Sequence, residues 1–135
     1  MLYFLDTNIC IYLLNGRFPG IRLKLEDIPH NNIKIPAVVA AELYYGAVKS
    51  EKRAYNLARS SKFVALYDTI PFDHTASGIY AEIRAVLESK GQMIGGNDLL
   101  IAASALAYEA VLVTNNVKEF ARIDELKIED WTQEA

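Results

Sequence analysis

Leu2-Tyr3-Phe4-Leu5-Asp6-Thr7-Asn8 opens on four apolar residues that stop at a carboxylate. The run reads as a short buried strand, and the helix it leads into spans about 7–15 and stops near Asn15-Gly16. Ala110–Val113 reads as a central strand, and Thr114-Asn115-Asn116 follows it directly. Working outward, Pro19 can open a second helix carrying Ile21, Leu25 and Ile28, ended by Pro29. Ile33–Ile35 is a further strand, Pro36 sits where a first helical residue is favoured, and the helix it opens runs to about Lys49. Another helix spans about 51–66, with Thr69–Ile70 as a strand after it. A helix over 73–90 carries Ile79, Ile83, Val86 and Leu87 as its apolar stripe and ends at Gly91. The next starts near Asn97 and ends near Tyr108. Val117–Phe120 reads as a helical turn and Leu126–Ile128 as an edge strand. Short apolar strands alternating with helices predict parallel β-α units, with helices on both faces of the sheet. Ligands of such sheets gather beyond the carboxyl ends of the strands, so Asp6 and 114–116 are expected on one rim.

Composition narrows the class. The chain has 135 residues, of which 52% are apolar and 23% charged, which fits one globular domain and excludes a disordered chain. A single cysteine, Cys10, excludes an internal disulfide framework and a four-cysteine zinc site, and is expected as a small core residue. His30 and His74 form no metal motif, and each is expected to be solvated or loosely packed. No basic leader precedes Asp6 and no uncharged stretch is long enough for a membrane span, so a soluble protein of a reducing compartment is expected. The net charge of −3 gives no general warrant for nucleic-acid binding. Locally the balance differs: Lys49, Lys52, Arg53, Arg59 and Lys62 stand against Glu51 alone, whereas 119–134 is acidic. Such a strip is either a solvated helix face or a phosphate-binding surface.

More telling is where charge is missing. Residues 1–16, 35–48 and 91–108 each hold one charged side chain, namely Asp6, Glu42 and Asp98. Asp6 can serve as a helix N-cap, and Asp98 can favour a helix dipole with Asn97 as the cap. Glu42 has no such local duty. It falls within the arc from Val38 to Leu43, with Gly46 one turn on and no basic residue between Lys34 and Lys49, so a buried, unpaired Glu is expected. Were the three acids to meet at ~5 Å, each pair would repel by roughly 3 kcal/mol at an effective dielectric of about 20. The total would rival a domain's whole stability of about 5–15 kcal/mol. Such a cluster must take up protons or hold a cation. Oxygen donors without His or Cys select Mg²⁺ or Mn²⁺ over zinc, and the chemistry that follows is metal-assisted phosphoester cleavage by a metal-activated water.

These residues, taken with Ala41-Glu42-Leu43-Tyr44-Tyr45-Gly46, Ile94-Gly95-Gly96-Asn97-Asp98-Leu99-Leu100-Ile101-Ala102-Ala103, Leu112-Val113-Thr114-Asn115-Asn116-Val117-Lys118-Glu119-Phe120 and Trp131, resemble the PIN-domain ribonucleases. Across essentially the whole chain the pattern is similar to the VapC toxins of bacterial toxin–antitoxin pairs. The resemblance implies a single domain over 1–135, a three-layer α/β/α sandwich with a five-stranded, mainly parallel sheet. It implies a cytoplasmic, Mg²⁺- or Mn²⁺-dependent endoribonuclease that cuts tRNA or ribosomal RNA, leaves 5′-phosphate and 3′-hydroxyl ends, and stops translation. It further implies a homodimer and a cognate VapB antitoxin whose C-terminal segment reaches the active site. Asp6, Glu42 and Asp98 match the family's catalytic, metal-holding acids, and Thr114 matches a hydroxyl residue beside them.

The chain departs from the pattern at Asn116, where many PIN domains carry a fourth acid. An amide offers oxygen but no charge, so a second metal would be held weakly; Glu119, one turn on, either contributes through water or is a solvated acid. An acidic pocket repels RNA, which makes Lys49, Lys52 and Arg53 candidate phosphate contacts. Tyr12, Leu13, Tyr44 and Tyr45 can be core, dimer surface or antitoxin groove, with core expected for at least half. Two rivals remain: a catalytically weak RNA- or antitoxin-binding scaffold, and a phospho-acceptor signalling module whose acceptor would be Asp68.

Overall fold

The two runs ending at Asp6 and Thr114 lie side by side. In a computed structural model that describes residues 1–133, Tyr3–Leu5 forms β1, Ile33–Pro36 β2, Asp68–Ile70 β3, Val111–Val113 β4 and Lys127–Glu129 β5. Glu134, the last acid of the acidic terminal run, lies outside the described residues. The sheet order is β3-β2-β1-β4-β5 and all four pairings are parallel. Inner strands are the apolar ones: Phe4, Leu5, Leu112 and Val113 are fully buried. The edge strands carry Asp68, Lys127 and Glu129, and charge at an edge hinders pairing with other chains.

Seven helices complete the fold among the described residues: α1 Thr7–Leu14, α2 Pro19–Glu26, α3 Ala37–Val48, α4 Arg53–Val64, α5 His74–Ser89, α6 Gly96–Ala107 and α7 Val117–Phe120. The chain steps outward from β1 to β3, then returns past β1 and steps the other way from β4 to β5. Right-handed crossovers in opposite directions place α1–α4 on one face and α5–α7 on the other, giving three layers. Packing agrees, since α1 touches α2, α3 and α4 while α5 lies along α6. The reversal falls between β1 and β4, and a crevice at that point is where such folds hold ligands.

Several boundaries move for local reasons. Pro36 keeps an extended backbone (φ −60°, ψ 143°) as the last residue of β2, so α3 starts at Ala37. A 3₁₀ turn over His30–Asn32 fills the gap after Pro29. There His30 stacks on Tyr67, with ring centroids 4.9 Å apart. The strand expected at Thr69–Ile70 starts at Asp68, whose carboxylate takes a 2.7 Å ion pair from Lys34 on the neighbouring strand. Asp68 therefore stands at the amino end of β3, away from the carboxyl rim, and a phospho-acceptor role loses its geometry. Helix α6 begins at Gly96 with Gly95 as N-cap, so Asn97 is not the cap. No helix among the described residues is long and apolar enough to cross a membrane.

Candidate active site

Asp6 ends β1 and caps α1. Its backbone N–H donates to the Val113 carbonyl of β4 (2.9 Å), and its Oδ1 accepts from the Thr7 N–H (2.8 Å). Its Oδ2 accepts from the Thr114 hydroxyl at 2.7 Å, in a bond that is itself buried. Thr114 is held in turn from two sides. Its N–H donates to Glu129 on β5 (3.0 Å), and its Oγ1 accepts from the Asn116 N–H (3.0 Å). Asp6 is only 4% exposed. The N-cap role is thus real, but it engages one carboxylate oxygen and leaves the other to bind across the sheet. Burial raises the Asp6 carboxyl above its ordinary range, with the Glu42 charge adding to it, while the bonds from Thr114 and Thr7 pull the other way.

Glu42 lies on α3 and is half-buried rather than enclosed, which corrects the expectation of a buried Glu. The reason is its place beside an open depression lined by Gly95, Gly96, Asn97 and Asp98. Its partners are neutral: the Thr7 hydroxyl donates to Oε1 (2.5 Å) and the Asn97 amide to Oε2 (3.3 Å). Thr7 therefore touches two acids at once, Asp6 through its N–H and Glu42 through its O–H. The sequence offered a hint in Asp6-Thr7-Asn8, yet nothing local in it tells that the Thr7 side chain reaches a helix 35 residues away.

Asp98 sits in the first turn of α6, half-buried. Gly95 borders it, at a distance where an added Cβ would make ordinary contact with Asp98 Oδ2 (3.4 Å). Its carboxyl is pushed up to about 6, by burial first and then by the charges of Asp6, Glu119 and Glu42, with Glu119 also in hydrogen-bonding range. Four acids thus act on one another through Asp98. Glu119 is more than a solvated acid, because the Asn116 side-chain amide donates to it at 3.2 Å. Asn116 spends its amide on that contact.

None of the four acids is ion-paired among the described residues, whose ion pairs are Lys34–Asp68, Arg84–Glu88 and Lys90–Asp124. As the side chains stand, no three His, Cys or acidic groups among the described residues are close enough together to hold a metal ion. The acids share a field rather than a finished cage. Their chemistry, carboxylate oxygens in excess with no His or Cys among them, fits a hard divalent cation.

The other expected residues lie elsewhere. Lys49 and Lys52 bracket the turn from α3 to α4, Arg53 opens α4, and all three are exposed. Tyr12, Leu13 and Tyr44 pack partly buried against the core, whereas Tyr45 is 64% exposed. Cys10 is fully buried, and burial drives its thiol far above its ordinary range. A more apolar hollow of about 450 Å³, lined by Ile79, Ile83, Val86 and Leu106, holds none of the four acids.

Residues 3–126 match the PIN domain family. The chain is 46% identical to "Ribonuclease VapC2" of Rickettsia felis, over 97% of this chain and 98% of that protein. It is 35% identical to "tRNA(fMet)-specific endonuclease VapC" of Shigella flexneri, over 96% of this chain and 98% of that one. Among solved structures it is similar to VapBC2 from Rickettsia felis bound to a DNA fragment from their promoter. There the TM-score is 0.91 at 45% identity, covering 97% of this chain and 99% of that one.

Proposed function

Since the chain belongs to the PIN-domain family and, within it, to the VapC ribonucleases, we propose that it is the toxin of a toxin–antitoxin pair. In this reading it is a cytoplasmic endoribonuclease, a single domain over residues 1–135, that stops translation by cutting RNA with the help of Mg²⁺ or Mn²⁺. One observation carries the chemistry: Asp6, Glu42 and Glu119 all act on Asp98, and none of the four is ion-paired among the described residues.

Asp6, Glu42 and Asp98 would hold the ion. When bound, it supplies Lewis-acid polarisation of the phosphodiester and an activated water. Thr114 and Thr7 fix the two oxygens of Asp6, so its charge faces one direction. Thr7 and Asn97 do the same for Glu42. Asn116, being neutral, makes any second ion a weaker guest, and Glu119 restores part of the missing negative charge. Lys49, Lys52 and Arg53 would hold the RNA backbone outside the acidic pocket. tRNA is the first substrate to test, because the Shigella relative is named for tRNA(fMet). A VapB-type antitoxin is the expected partner, as the Rickettsia relative was solved as VapBC2, and a homodimer is the expected free form.

The test is cleavage of a bacterial tRNA pool by purified protein, with Mg²⁺ or with EDTA, and sequencing of the ends. Defined internal cuts with Mg²⁺ and none with EDTA support the reading. Intact RNA with Mg²⁺ in the antitoxin-free protein sinks it.

A further inference from the structure

Resting on the RNA-cleaving reading, we propose that the exposed α3 stripe beyond Glu42 is a track for single-stranded RNA, in which Tyr45 stacks on a base and Lys49 meets the adjacent phosphate. Glu42, Tyr45 and Lys49 stand at i, i+3 and i+7, so they lie in one row on the helix surface. The row starts at the acid cluster and covers roughly 10 Å of helix axis. It therefore meets nucleotides next to the cleaved bond rather than distant ones.

Tyr45 is exposed, unlike its neighbour Tyr44, which packs against the core. The Lys49 ammonium lies 4.9 Å from the Tyr45 ring centroid, so cation and aromatic face form one unit. Lys52 and Arg53 extend the positive charge around the next turn, and none of the three cations is ion-paired among the described residues. An aromatic face beside unpaired cations suits unpaired bases and their phosphates, since every base offers a face to stack on. Charge decides the occupant. An acidic pocket repels phosphate, whereas the exposed cations Lys49, Lys52 and Arg53 follow on from Tyr45.

The experiment measures binding by fluorescence anisotropy in EDTA, where nothing is cut. The probes are a labelled single-stranded oligoribonucleotide and an abasic strand of equal length. Tyr45→Ala should weaken the oligoribonucleotide about tenfold and leave the abasic strand unchanged, with Tyr45→Trp restoring affinity. Lys49→Ala should weaken both strands and lower the salt slope by about one. Unchanged affinity in Tyr45→Ala, equal losses on both strands, or no binding by the wild type would overturn the track. So would a Tyr45→Ala loss that merely follows a change in oligomeric state by sedimentation, which would mark a self-contact. Tyr45-dependent binding by a protein that cuts no RNA with Mg²⁺ would leave the track standing and remove the nuclease reading.

Discussion

Thr7 shows how a neutral residue can organise charge. Its N–H and O–H reach Asp6 and Glu42, at 2.8 Å and 2.5 Å. Valine keeps the shape and loses the hydroxyl, whereas serine keeps the donor. Thr7→Val should cost roughly 10–100-fold in Mn²⁺ affinity, read by calorimetry, and Thr7→Ser should recover most of it. Equal affinity in the valine variant would show that the bond is incidental. Asp98 makes a prediction about pH. Its folded carboxyl titrates near 6, above the ordinary value of 3.8, so the folded state holds a proton that the unfolded state has already released. The stability tied to that proton is present below about pH 4 and is lost as pH rises through 6. Metal-free protein should therefore melt at a lower temperature at pH 8 than at pH 5, and Asp98→Asn should flatten the difference. Asp6, raised for the same chief reason, acts in the same direction.

At the scale of elements, α6 carries Asp98 on a helix whose body is set against the sheet. Leu99, Ile101, Ala102, Ala103, Ser104 and Ala105 are all buried. Small side chains there leave no space to expand. Ala102→Leu should cost about 1–3 kcal/mol in urea unfolding, by overpacking. A neutral outcome would mean that the helix can shift, and the Asp98 position with it. Elements with a strong local signal were legible: β1 and β4 as apolar runs, α2 from Pro19, and the ends of α1 and α5 at Gly16 and Gly91, both with positive φ. Two features lacked such a signal. The Asp68 start of β3 has its carboxylate paired with Lys34 from another strand, and α6 takes Gly95 as its cap while the Asn97 amide, in the first turn, bonds to Glu42. Partners this distant along the chain leave no trace in periodicity.

For the whole molecule, the acids gather at one rim of the sheet while Lys49, Lys52 and Arg53 lie along the turn after α3. In the proposed function, that separation would let a chain of net charge −3 hold a polyanion. The three lone acids were legible because 1–16, 35–48 and 91–108 carry no other charge. Glu119 as a member of the group was not, since it sits in a stretch full of acids and joins only through the fold. Asp6, Glu42 and Asp98 work as one divalent-ion site in the proposed function. Its most direct test compares Mg²⁺-dependent tRNA cleavage by Asp6→Asn, Glu42→Gln and Asp98→Asn with that of the wild type, folding being checked by circular dichroism. Each variant should stay folded and lose at least about a hundredfold in rate. Wild-type cleavage by any folded member of the set would contradict the shared site.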